Sequence, residues 1–220
     1  MRLKVLVEQP FGVETVRGTV LFADLRGYTA LAERLDPAAV VALLDQFFTV
    51  LGQAVEDHEG AVFHLAGDSL MAGFGLADSG TAPVRRAISA SRTMVAAFAP
   101  VATSWAQQFG ISTGIGIGVH VGPVAYAALG PASMRRATLI GDTVNVAARL
   151  CQRARAGEVL FSAGVAAALD RAAETDIVRL PSYTLRGRET PIEICCVPAR
   201  ERVVVEADVA KSAPQTVAAP

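Results

Sequence analysis

Two aspartates, an asparagine and an arginine are the residues of this 220-residue sequence whose types and spacing could do chemistry together. Asp24 follows an apolar, β-branched run, Gly18-Thr19-Val20-Leu21-Phe22-Ala23, and Asp68 closes Ala66-Gly67-Asp68 between two short apolar runs, Ala61–Leu65 and Ser69–Phe74. A strand end and the tip of a tight hairpin are adjacent places in a β-α-β-β sheet. Two carboxylates converging there repel unless a cation sits between them, and oxygen-only ligation with open positions suits Mg2+ or Mn2+ bound to a phosphate substrate. The same two residues also suit an N-cap and a turn former, and residue type leaves both readings standing. The segment after Asp24, Leu25-Arg26-Gly27-Tyr28-Thr29, opens a helix whose backbone N–H groups could cradle a triphosphate. Asn145 and Arg149, spaced i, i+4, share one face of the helix begun by Gly141-Asp142-Thr143, where a solvated polar face is the plain alternative.

The elements that must hold these residues follow from periodicity. Organised chain begins at Arg17, after an N-terminal arm of residues 1–16 whose weak alternation breaks at Pro10-Phe11-Gly12. A strand over 18–23 ends at Asp24. A short helix over 30–35 follows, then a long one over 38–58 with Asp36 as N-cap, Pro37 at the first helical position and Gly60 beyond its end. The hairpin comes next, then a second long helix, 82–109, strand-like runs over 112–121 and 123–129, and a strand over 136–140. A helix over 143–155 and strands near 158–161, 177–185 and 192–197 complete the pattern. The order β-α-β-β-α-β predicts an α+β fold with a ferredoxin-like, palm-type core and additional C-terminal strands and helices. The unit spans 17–199, and the polar, Ala/Pro-rich stretch 200–220 reads as a disordered tail.

Composition narrows the function classes. Twenty Lys and Arg against 21 Asp and Glu leave a formal charge of −1, so no basic field argues for nucleic acid. With 52% hydrophobic and 19% charged residues there is material for a sizeable core. No apolar stretch such as Val95–Pro100 or Ile111–Val119 approaches the ~20 residues of a membrane span, and Glu8 interrupts the N-terminus before a secretory core develops. The expectation is a cytoplasmic protein without a membrane segment. Cys151, Cys195 and Cys196 make an odd count with two neighbours, which reads as reduced core filling. Gly110–Gly114 matches a nucleophile elbow but lies between a helix and a strand, the wrong context. Gly114-Ile-Gly116-Ile-Gly118 lacks the following helix of a dinucleotide loop and reads as a strand with one bare face that something approaches closely. His58 and His120 have no partner at zinc-ligand spacing, and Trp105 reads as core.

Taken together, Gly18–Thr29 (GTVLFADLRGYT), Phe63–Ala72 (FHLAGDSLMA), Gly118–Val124 (GVHVGPV) and Arg136–Leu150 (RATLIGDTVNVAARL) resemble the catalytic domain of class III nucleotidyl cyclases over about residues 17–199. The resemblance implies an enzyme converting a nucleoside triphosphate, ATP first, to the 3′,5′-cyclic monophosphate and pyrophosphate with two divalent cations, Mg2+ or Mn2+. It places Asp24 and Asp68 on the metal-binding aspartates, and residues Leu25, Arg26, Gly27, Tyr28 and Thr29 on the triphosphate loop. Asn145 falls on the ribose-orienting asparagine and Arg149 on the arginine that neutralises the α-phosphate. Arg186 stands where the family usually carries a phosphate-contacting lysine. His64 and Thr138 fall on the two base-selecting positions; the histidine departs from the lysine usual for ATP and the glutamate usual for GTP. Ala127 stands where many members have glycine. The resemblance further implies a head-to-tail homodimer whose sites each draw the aspartates from one chain and the base pocket, Asn145 and Arg149 from the other. Pyrimidine and guanylyl cyclases, and a non-catalytic nucleotide-binding module, are the competing readings. A diguanylate cyclase would need a Gly-Gly-acid-acid-Phe type tip, which Ala66-Gly67-Asp68-Ser69 is not.

Overall fold

The structure, a computed structural model, describes residues 13–77, 80–169, 176–184 and 190–199. Residues 1–12 of the expected arm, the tail from residue 200 and Arg186 lie outside the described residues. The first strand, β1 (Glu14–Arg26), begins before Arg17 and runs on past Asp24. It is followed by α1 (Tyr28–Arg34), α2 (Pro37–Asp57), the hairpin β2 (Ala61–Ala66) and β3 (Ser69–Phe74), α3 (Ala82–Phe109) and β4 (Gly114–Leu129). Then come β5 (Arg136–Ile140), α4 (Asp142–Arg153), β6 (Val159–Ser162), the short α5 (Ala163–Ala166), β7 (Val178–Tyr183) and β8 (Ile192–Val197). The strands form one open sheet in the order β2-β3-β1-β4-β6-β8-β7, with β5 paired to β4, and this is the expected α+β architecture.

Local chemistry accounts for the helix ends. Asp36 Oδ1 accepts from the N–H groups of Ala38 and Ala39 at 3.0 and 3.1 Å, and Pro37 supplies a first-turn residue with no N–H to satisfy. The Gly60 N–H returns to the Val55 carbonyl at 2.9 Å and turns the chain into the hairpin. α3 stops at Gly110, whose left-handed φ of 65° a side chain would resist.

Leu21, Ala23 and Leu25 of β1 face α2 and α3, where Phe98 packs edge-on against Phe47 and Trp105 with ring centroids 5.6 and 5.3 Å apart. Trp105 is core, as expected, and its Nε1 donates to Gln46 Oε1 at 3.0 Å. Val20 faces the other way, with Met71, Val124, Tyr126, Leu139 and Ala147, under α4. α2 departs from the sequence expectation, since by length and composition it is apolar enough to cross a membrane. It packs Phe47, Leu51, Ala54 and Val55 into the core while leaving Val41 exposed. All three cysteines are buried and none is in a disulfide, as expected of core filling.

The two runs expected on either side of Gly122 are one continuous strand. β6 pairs β4 only over Ile117–Val119 and β5 only from Ala125, so among the described residues no strand lies beside Pro123 on the side away from β1. Its carbonyl points there and accepts from Thr143 Oγ1 at 2.7 Å. A missing N–H on that side breaks no ladder.

The bare face of the Gly-Ile-Gly-Ile-Gly run is where α4 lies. A Cβ on Gly118 would stand 2.1 Å from the Cys151 nitrogen and 2.3 Å from the Ala147 carbonyl oxygen, main-chain atoms that no rotamer change can move. Gly118→Ala therefore forces the helix off the sheet and is expected to destabilise the fold by about 3 kcal/mol or more, the upper end of overpacking costs. A urea midpoint equal to that of the wild type would show the approach to be looser than described.

Candidate active site

Strand pairing brings Asp24 and Asp68 together. Asp24 lies opposite Ser69 on β3 and Gly116 on β4. Asp68 occupies the two-residue turn just before Ser69, and its backbone carbonyl accepts from the Leu25 N–H at 3.0 Å. The register of β1 and the hairpin, rather than any side-chain contact, thus fixes the spacing of the two carboxylates.

Asp24 shares the α4 side of β1 with Arg26, two residues on. The Arg26 guanidinium donates to Asp24 Oδ2, to the Cys151 carbonyl and, through Nε at 3.0 Å, to the Ala154 carbonyl. The Arg26 and Asp24 side chains keep 24% and 26% of their surface, so this edge stays open to solvent. Burial pushes the Cys151 thiol up to about 11, against the pull of the neighbouring Arg26 guanidinium. The thiol stays protonated at neutral pH and donates to the Gly116 carbonyl at 3.2 Å.

The donor set fits a hard divalent cation. It offers two carboxylates on a partly open edge, with the nearby sulfur neutral and engaged, and the remaining positions fall to phosphate oxygens and water. Among the described residues no group of three or more His, Cys, Asp or Glu gathers in one place, so phosphate oxygens and water would have to complete the coordination.

The expected triphosphate loop divides. Leu25 is buried in the core and its N–H is spent on Asp68, while Arg26 turns its guanidinium toward Asp24 and α4. Both departures have one cause, since β1 runs to Arg26 instead of ending at Asp24. Gly27, at φ 89°, then starts α1, and Tyr28 and Thr29 supply its first-turn N–H groups, which have no acceptor within a helix.

Asn145 and Arg149 are not brought to the aspartates. α4 turns Thr143, Val146, Ala147, Leu150 and Cys151 to the sheet, leaving Asn145 exposed and Arg149 half-buried on its outer side. His64 lies on β2 opposite Met71, past a register shift, and is exposed; Thr138, half-buried, lies opposite Ala127 on β4. A groove of about 930 Å3 opens beside Arg26 and Gly27, lined by Val95, Phe98, Ala102 and Ile115. None of Asp24, Asp68, Asn145, Arg149, His64 or Thr138 lines it.

The model of the adenylate and guanylate cyclase catalytic domain matches residues 13–196. The chain is a class III nucleotidyl cyclase domain. An adenylate cyclase of Anabaena cylindrica is 32% identical over 154 residues, 64% of this chain and 30% of that protein. An uncharacterised protein of Mycobacterium tuberculosis is 32% identical over 188 residues, 83% of this chain and 33% of its own length. The cyclase domain thus spans about a third of the length of these curated relatives. In fold it is similar to the adenylyl cyclase CyaB of P. aeruginosa, with a TM-score of 0.78 at 24% identity, covering 87% of this chain and 98% of that one. It is similar to the guanylyl cyclase Cya2 at a TM-score of 0.76 and 24% identity, covering 88% and 98%. Relatives of both base preferences share the fold, so the cyclase fold by itself does not choose the base.

Proposed function

We propose that this cyclase domain converts a nucleoside triphosphate, ATP in the first place, to its 3′,5′-cyclic monophosphate, at two sites shared between the chains of a head-to-tail homodimer. One observation carries the reading. The metal-type carboxylates sit together where β1 nears its end beside the β2–β3 turn, while the polar pair Asn145 and Arg149 lies on the outer side of α4, an arrangement that supports halves completing each other across two chains. Leu65, Leu129, Met134 and Ile140, with 43–64% of their surface exposed on the β2 and β4–β5 rim, give such a pair of chains apolar area to bury.

In the reaction the ribose 3′-oxygen bonds to the α-phosphorus, the α–β bridging P–O bond breaks, and pyrophosphate leaves with its electron pair. Two divalent cations held by Asp24 and Asp68 supply, when bound, acidification of the 3′-hydroxyl and charge for the leaving group. Asn145 can both donate to and accept from the ribose, which fixes the direction of attack. Arg149 places its fork of donors on the α-phosphate as charge builds there, and Arg186 adds a positive charge for the phosphates. The first N–H groups of α1, at Gly27, Tyr28 and Thr29, take phosphate oxygens.

His64 and Thr138 read the base. Imidazole offers one donor and one acceptor and the hydroxyl can act as either, so the pair suits adenine and can be rearranged for a pyrimidine. The adenylate cyclase relative and Thr138 support ATP, and UTP or CTP is the second reading because His64 stands where lysine is usual. The test is kcat/KM for all four triphosphates with Mn2+ and Mg2+. ATP is expected to lead, and His64→Lys, which can only donate, is expected to raise the ATP preference over UTP and CTP by about tenfold, one hydrogen bond's worth. A wild type that cyclises UTP or CTP much faster than ATP overturns the adenylyl assignment and leaves the cyclase reaction standing.

A further inference from the structure

Three nitrogens of one side chain tie a metal-type carboxylate to the end of a helix. Arg26 reaches Asp24 with Nη1, the carbonyl of Cys151 in the last turn of α4 with Nη2, and the carbonyl of Ala154, just past the end of that helix, with Nε. The Cys151 carbonyl lies at the negative end of the helix dipole, so the guanidinium meets two sources of negative charge at once, that end and the Asp24 carboxylate. Space for it is built into the sheet. A Cβ on Gly116 would stand 2.5 Å from Arg26 Nη2 and 2.7 Å from the Ala154 oxygen. The planar fork suits three divergent acceptors, a geometry that a lysine ammonium on its flexible stem does not reproduce.

We propose that Arg26 is a positioning residue that acts as the resident counter-ion of the metal site, holding Asp24 against α4 until a divalent cation competes for the same carboxylate. This rests on the assignment of Asp24 as a metal ligand made above and assigns Arg26 a role separate from phosphate binding. Two converging carboxylates without metal repel, and Arg26 cancels that repulsion in the empty site. The same positive charge opposes an arriving cation. Metal binding therefore trades one cation for another at Asp24 and loosens the tie to α4, the helix that carries Asn145 and Arg149.

The exchange makes two changes of opposite sign when the charge is removed. In Arg26→Gln without metal, the thermal midpoint is expected to fall, because Asp24 and the α4 carbonyls lose their partner. Mn2+ affinity, read without nucleotide by the free-ion electron paramagnetic resonance signal, is expected to tighten by about tenfold as the repulsion between like charges disappears. Added Mn2+ should then raise the midpoint of the variant more than that of the wild type. A packing role alone would lower the midpoint and leave Mn2+ affinity unchanged. Arg26→Met keeps the stem over Gly116 and is the second variant should the glutamine one not fold; the same pair of shifts is expected of it. Mn2+ affinity that is unchanged or weaker in a folded variant overturns the counter-ion role. Asp24→Asn, measured alongside, separates the failures: if it binds Mn2+ as the wild type does, the metal assignment itself falls and this role with it.

Discussion

Asp68→Ala is expected to fold, pair with a second chain and turn over substrate on the order of 10³-fold more slowly, a loss of several kcal/mol of transition-state stabilisation. The fold should survive because Asp68 serves the sheet through its backbone. Its carbonyl accepts from Leu25, and alanine keeps that bond. Only the carboxylate goes, and with it half of the charge proposed above to hold the cations against the triphosphate. The check is the cyclase rate at saturating Mn2+ beside a urea midpoint. A near-normal rate in the folded variant would remove Asp68 from the site.

Mixing two inactive proteins is expected to restore activity. In the proposed arrangement Asp24→Ala removes the carboxylate half of every site and Asn145→Ala the ribose-orienting half. In a heterodimer of the two, one site collects both lesions and the other collects none. Random exchange at equal concentrations makes half the dimers mixed, so roughly a quarter of wild-type activity should return. The recovery should follow the kinetics of subunit exchange. Exchange demonstrated by a labelled chain without any return of activity would place all the catalytic groups within one chain. The prediction follows from α4, whose core stripe of Val146, Ala147 and Leu150 faces the chain's own sheet and turns Asn145 the other way.

Much of this arrangement was legible in the residues because the signals were local. Asp36-Pro37 announced the start of α2, and Gly60 its end. The bare glycines of β4 announced that something lies against them, though not what; the register of α4 over Gly118 needs the fold. The hairpin tip placed Asp68, and the strand before it placed Asp24. The misread positions are those where tertiary context overruled a local cue. Two strand-like runs parted at Gly122 are one strand, and among the described residues the side of β4 that Pro123 faces has no strand to pair with. The Leu25-Arg26 pair looked like the start of a helix because the apolar run stops at Asp24. Pairing with Ile115 and Gly114 carries the strand on and turns Arg26 back beside Asp24. An alternation of Ala23, Leu25 inward and Asp24, Arg26 outward was the available signal.

Main chain meets main chain where α4 crosses Gly118, and that contact divides the helix into two kinds of position with different futures. Toward the sheet, its seat leaves no room for even a methyl group, so where the helix stands cannot be adjusted gradually by side-chain size. Toward the outside, residues can be exchanged without unseating it. The helix behaves as a fixed mount with interchangeable fittings. Drift among its outward residues alters what is presented to a neighbouring chain while the point of presentation stays put, and a lineage could retune its chemistry there long before it could move the mount.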